Sequence, residues 1–269
     1  MNTTTHHRTA WRFAALACGL TLSAHAGLLV NGGFESGLTG WTTADQIGSE
    51  GTFALQTGTL SPVNGLPVPP PPAGLTAAMT DAAGPGSHVL YQDIFVPSVV
   101  PAASLRFALF LQNTAPAFYL PPTPHLDFAT TDLNQQARVD ILPASSDPFS
   151  TAPGDILLNL YQTMPGDPLV SGYTQVSVDV TALLQAHAGQ TLRLRFAEVD
   201  NVDVFNLGVD AVDLRVIPEP AMAGLLGSLL CAGLVVWSRW GSRARTGGNR
   251  ATLPTQRFPA PAGASPRCR

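Results

Sequence analysis

The sequence contains no lysine. All fourteen basic residues are arginine, and charged residues of both signs make up only 12% of the 269, about half the usual share. Cysteine is nearly as scarce. Cys18, Cys231 and Cys268 all lie toward the two ends, so residues 27–217 hold none. That stretch can have no disulfide framework and no CxxC metal or redox motif, and its fold must rest on packing, helped at most by a bound ion. Positive charge is also short there: five arginines face seventeen acids. So anionic a region repels polyanions, which excludes nucleic acid as a partner, while it suits divalent cations. Histidine occurs in it only as His88, His125 and His187, far apart in the chain. HExxH, GxSxG, the phosphate-binding P-loop and a GxGxxG after a strand are all missing. An enzyme is not expected on these grounds, although a glycosidase carboxylate pair depends on spatial separation and leaves no sequence mark.

Long apolar runs are few and sit at the two ends. Residues 1–26 have the three parts of a secretory signal. His6, His7, Arg8 and Arg12 form a polar, positive start, and residues 13–22 (FAALACGLTL) an apolar run too short to span a bilayer. Ala24 and Ala26 are the small residues a signal peptidase reads, predicting cleavage before Gly27. A lipoprotein start at Cys18 would leave a poorer recognition sequence and a very short apolar core.

At the other end Pro218, Glu219 and Pro220 precede AMAGLLGSLLCAGLVVWS, residues 221–238. Nineteen uncharged residues separate Glu219 from Arg239, about 28 Å of helix at ~1.5 Å per residue and close to the ~30 Å hydrocarbon thickness. Trp237 and Trp240 fall at one interface, and Arg239, Arg243 and Arg245 follow on the expected cytoplasmic side. Residues 246–269, rich in Pro, Gly, Ala and Arg, are expected to form a disordered basic tail. The order of Pro-Glu-Pro, apolar span and arginine cluster resembles the PEP-CTERM sorting signal of exosortase substrates in Gram-negative bacteria. The resemblance implies export, an inner-membrane intermediate, processing by an exosortase, and final placement on the cell surface or in the extracellular matrix. It implies a route and says nothing of a ligand. The long tail departs from the pattern, which ends soon after the basic cluster.

Between the ends the chain predicts strands. Residues 173–180 (YTQVSVDV) and 190–196 (QTLRLRF) alternate apolar and polar side chains, with Arg193 and Arg195 outward. Further strands are expected at 53–57, 89–96, 105–112, 138–142, 156–161 and 207–216, with one helical turn at 180–187. Eight to ten strands and almost no helix predict an all-β sandwich. The Pro-rich stretches 61–74 and 115–124 cannot be central strands and are expected as surface loops.

Leu29-Val30-Asn31-Gly32-Gly33-Phe34-Glu35 and Gly40-Trp41, with 175–180, 188–192 and 209–214 later, resemble galactose-binding-like domains and several carbohydrate-binding modules. The resemblance implies a two-sheet jelly roll over 27–217, often with a structural Ca2+ joining first and last strands, and makes Trp41 a core residue. In the last strand Asp210 shares parity with Val212, Leu214 and Val216, which predicts a carboxylate on the apolar face that needs a cation or donors. Asp210, Glu35 and the carbonyl of Asn31 could give Ca2+ several of its oxygens. An Asp hydrogen-bonded to loop amides at a strand end is the alternative. Glu198, Asp200, Asn201 and Asp203 are expected in a solvated loop. Phe118 and Tyr119, in a Pro-rich loop, are the candidate sugar platforms. The function these residues support is a non-enzymatic surface or matrix protein associated with exopolysaccharide. A glycan-binding lectin and a secreted polysaccharide hydrolase are the alternatives.

Overall fold

The computed structural model describes residues 26–217, apart from residue 63 and residues 82–83. The leader with Ala24, the sorting residues Pro218, Glu219, Pro220, Arg239, Arg243 and Arg245, the span 221–238 and the tail 246–269 lie outside the described residues. Among the described residues no helix is long and apolar enough to cross a membrane.

Among the described residues, eleven strands and one short helix follow in order. The strands are β1 (Ala26–Gly27), β2 (Thr42–Asp45), β3 (Thr52–Thr57), β4 (Thr76–Asp81), β5 (Gly86–Phe95), β6 (Ala102–Asn113), β7 (Gln135–Pro143), β8 (Leu158–Gln162), β9 (Thr174–Asp179), β10 (Thr191–Asp200) and β11 (Phe205–Ile217). Helix α1 (Thr181–Ala186) sits between β9 and β10, where the helical turn was expected. The strands form two antiparallel sheets, one ordered β3-β4-β11-β6-β9 and the other β2-β5-β10-β7-β8. β1 pairs with the far end of β11. From β4 onward nearly every strand crosses to the opposite sheet, the β7–β8 hairpin being the exception.

The expected alternation holds where it was clearest. Leu192, Leu194 and Phe196 of β10 face inward and meet Leu105, Phe107 and Leu109 of β6 in one buried cluster. Phe107 and Phe196 stack edge-on at 5.5 Å, and Trp41 completes an aromatic chain between Phe34 and Phe196. Trp41 is buried, a core residue as expected. β2 and β4, made of TTAD and TAAMTD, lack large alternating residues and were not foreseen.

The outer faces of the sheets are covered as well. Val68 of the first Pro-rich segment packs on Met79, Phe110 and Tyr173 outside the first sheet. Leu126, Phe128 and Phe149 cover Val89, Ala197 and Val199 outside the second. The Pro-rich segments are surface loops, but loops that lie flat on the sheets and dry them. One expectation fails here. β10 runs on to Asp200, so Glu198 and Asp200 are buried strand residues and not part of a solvated loop. Asn201 and Asp203 do lie in the turn that follows.

Candidate functional site

The opening motif and the last strand meet, as the sequence suggested, though through a different geometry. The pairing of β11 with β6 slips between Asp210 and Asp213, leaving a bulge in which Ala211 has φ of +51°. A bulge inserts a residue and reverses the parity of the strand beyond it. Phe205, Leu207 and Val209 therefore face the core before it, and Val212 and Leu214 after it. Asp210 falls on the other face, opposite Ala108 and beside Gly208 and Phe110. The expectation that it points into the apolar core is corrected: it lies on the outside of the first sheet, buried beneath the Pro-rich loop.

Two local features place the opening loop there. The Gly32 carbonyl accepts from Val212 N–H at 2.9 Å, and a β-carbon at Gly32 would lie 1.9 Å from the Val212 oxygen. Only glycine permits that approach. The Asn31 side chain closes the turn, donating to the carbonyls of Gly37 and Thr39 and accepting from Ser36 N–H. Its backbone carbonyl receives the Trp41 indole N–H at 3.1 Å. Asp210 accepts backbone N–H groups from Ala73 and Ala211 at 3.1 and 2.6 Å. Exposed Glu35 accepts from Leu75 and Thr76 N–H at 2.8 and 3.0 Å. Burial pushes the Asp210 carboxyl up to about 6, against its two amide bonds and with help from the Glu35 charge. The amides of Leu75 and Thr76 hold Glu35 below the ordinary carboxylate range. The two carboxylates repel each other, and each keeps lone pairs that its amide bonds do not use.

The two candidate platforms part company. Phe118 is fully buried, ring to ring with Phe205 at 5.5 Å, so it has no face to offer a sugar; its apolar surface was spent inside the loop. Tyr119 is half-buried, and its backbone pairs with Gln135 in both directions. Just beyond it a groove of about 500 Å³ opens between residues 120–124 and 151–156. Gln136 and Arg138 of β7, Gln162 of β8, Leu120, Pro153 and Ile156 are among the residues that line it. No sequence signal marked it, because its walls come from two loops more than twenty residues apart.

Buried charge is concentrated on β10. On its outer face Arg195 donates to Asp140 and to the carbonyls of Pro148 and Ser150, the last two at 2.7 Å. Arg138 grips the same carboxylate through two bonds of 2.7 and 2.8 Å. Burial works against the Asp140 charge, yet Arg138 and Arg195 together hold it below the usual range. Arg193 pairs with Asp93 at 2.7 Å and lies 4.1 Å over the Tyr91 ring. On the inner face Glu198, Asp200 and His88 of β5 converge, all buried. Burial, with Asp200 adding, pushes Glu198 well above the carboxylate range. Burial likewise carries Asp200 to about 8, against backbone amide bonds that include one from Gly86. The sequence showed these acids but not that β10 continues far enough to bury them.

No protein-family model matches this chain, and no curated protein matches it. Among solved structures it is similar to the K3 cleaved adhesin domain of Lys-gingipain from Porphyromonas gingivalis, at 15% identity and TM-score 0.44 over 71% of this chain and 98% of that one. It is similar to the module TmCBM61, solved with β-1,4-galactotriose, at 9% identity and TM-score 0.39 over 70% and 97%. A tailspike protein 4 domain of bacteriophage CBA120 matches at 11% identity and TM-score 0.40 over 71% of this chain; the chain spans about a fifth of it, 21%. At such identities and TM-scores the likeness assigns neither a family nor an activity.

Proposed function

We propose that this chain is a non-enzymatic exported protein whose jelly-roll ectodomain is displayed through its PEP-CTERM signal and holds polysaccharide in the groove over β7 and β8. The strand order supports the jelly roll, since successive strands alternate between the sheets as two Greek keys require. The groove carries the ligand reading. It brings the amides of Gln136 and Gln162 and the edge of Arg138, whose guanidinium is held by Asp140, together with Leu and Pro side chains, which suits a pyranose ring with hydroxyls at its edge and C–H groups on its faces. Cleavage before Gly27 would remove the Ala26–Val216 pair of β1 and leave Gly27 opposite Arg215, with Leu28 N–H bonded to the Leu214 carbonyl at 2.9 Å. A structural Ca2+ would take Asp210 and Glu35, while the Asn31 carbonyl is already bonded to the Trp41 indole and the Phe34 amide. Signal peptidase, exosortase and the inner membrane are the partners of the route, and exopolysaccharide of the mature surface.

One experiment addresses route and ligand together. Cells with and without an exosortase express the chain with either the native groove or Leu120→Ala with Gln162→Ala. The enzyme should shorten the protein near Pro218–Pro220 and release it from the inner membrane. The groove pair should weaken binding to exopolysaccharide at least tenfold, about 1.4 kcal/mol, without changing the size of the product. Equal sizes in both cells overturn the sorting, and undiminished binding overturns the groove.

A further inference from the structure

We propose that His88, Glu198 and Asp200 form a binding site for one Zn2+-type divalent ion inside the sandwich, at the end of the second sheet. The three residues come from neighbouring strands: Glu198 lies directly opposite His88, and Asp200 opposite Gly86. One ligand atom from each lies within 4.8 Å of the others. An ion centred among them is then at most about 2.8 Å from each, and a movement well under 1 Å gives the usual ~2.0–2.2 Å bonds.

The imidazole is oriented for this role. His88 Nδ1 lies 2.7 Å from Asp45 Oδ1, so the carboxylate draws the ring proton to Nδ1 and the Nε2 lone pair faces the cluster. A carboxylate behind the distal nitrogen is the arrangement that orients metal-binding histidines generally. His88 Nε2 and both Glu198 oxygens are buried without a hydrogen-bond partner. Such acceptors in a dry interior require a cation or protons. Gly86 keeps the place open, since a β-carbon there would come within 2.3 Å of His88 Nε2. A cavity of about 240 Å³, lined by Pro85, Asp200, Val202 and Asp203 among others, gives the ion a way in and a water the fourth position. An imidazole nitrogen with two carboxylates selects Zn2+ over Ca2+ and Mg2+, which take six or more oxygens. The donor set is unlike that at Asp210, so the two sites are separable by metal.

The test strips the full-length chain with a chelator and titrates it with Zn2+, and with Co2+ as a visible probe. One ion per chain should bind here, giving Co2+ d–d bands without sulfur-to-cobalt charge transfer, because residues 27–217 contain no cysteine. Glu198→Gln should abolish those bands, and Asp210→Asn should leave them unchanged. Asp45→Asn, which removes no ligand, should weaken binding about 10–100-fold. A wild-type chain that develops no such bands overturns the proposal, whatever the variants do. So does a Glu198→Gln chain that keeps both its circular dichroism and the bands.

Discussion

Strand β10 carries charge on both faces, and the two sets are finished differently. On the outer face Arg195 meets a carboxylate and two carbonyls, and Asp140 is held by two guanidinium groups. On the inner face Glu198 has no partner for either oxygen. Both places are equally dry, Arg195, Asp140 and Glu198 all being 0% exposed. Burial therefore does not distinguish them; partnership does. The outer set is complete and clamps residues 148–150 to the sheet. The inner set is incomplete, and an incomplete polar group in a packed interior marks something the protein takes up, be it a proton or an ion.

The comparison is broken most forcefully at Asp140. Asp140→Asn removes the only carboxylate shared by Arg138 and Arg195 and leaves two buried cations facing each other. Breaking a buried pair on one side costs about 3–5 kcal/mol, or roughly 6–20 °C in melting temperature for a domain of this size. Glu198→Gln is the same chemical change at the unfinished set, and the expected sign is opposite. In metal-free protein at pH 8 it should leave stability unchanged or raise it, because it deletes a buried carboxyl that has no partner. Denaturant unfolding of both variants at pH 8 checks the pair. A large loss at Glu198 without metal would show that its carboxylate has a partner after all.

How much of this was legible can be argued from β10 and β11. The alternation of Leu192, Leu194 and Phe196 announced a half-buried strand, and the structure has it. The same pattern assigned Arg193 and Arg195 outward, which is right, but outward did not mean exposed. Loops from 115–134 and 144–156 cover that face, and nothing in a period of two records what lies over a sheet. In β11 the pattern misled. Asp210 and Val212 are two apart, yet the bulge at Ala211 puts them on opposite faces, and Ala carries no mark of a positive φ. The first-to-last strand contact was legible only through the resemblance to galactose-binding-like domains. The His88 cluster was not legible as a cluster, since His88 lies 110 and 112 residues from Glu198 and Asp200 and is joined to them by register alone.

A middle-sized effect separates the pair at Glu35 and Asp210 from the inner cluster. If Asp210 holds Ca2+ with Glu35, the ion stabilises the folded chain by about 2.7 kcal/mol at a hundredfold excess over Kd. A chelator should then lower the melting temperature by roughly 5–10 °C, Ca2+ should restore it better than Mg2+, and Asp210→Asn should remove most of the response. Melting that ignores Ca2+ would leave the amides of Ala73 and Ala211 as the sole partners of Asp210. Zn2+ should still act in the Asp210→Asn chain, because its ligands lie on β5 and β10.

The smallest effect at any one step is the slope of stability with pH, and it tests the inner cluster without touching a residue. Asp200 moves from an ordinary 3.8 to about 8, and Glu198 is raised as well. A carboxyl with a raised folded-state pKa binds its proton more tightly folded than unfolded. Its contribution is complete below about pH 4 and is lost as pH climbs through the folded value. Asp140, held low, acts the other way and loses its contribution only below about pH 4. Asp210, raised to about 6, adds to the fall only between about pH 4 and 6. Between pH 6 and 8 the decline therefore belongs to Glu198 and Asp200. Its ceiling is about 1.4 kcal/mol per pH unit for each whole proton. The charges around them set how much of that is reached: Asp45 behind His88, Asp203 in the turn after β10 and the Glu50 carboxylate beside Gly84. Metal-free protein should thus unfold progressively more easily from pH 6 to 8. Glu198→Gln should flatten the slope, and saturating Zn2+ should abolish it, since the ion takes the protons' place. A metal-free chain whose stability is level across that range would mean that the inner face of β10 is as well partnered as the outer one.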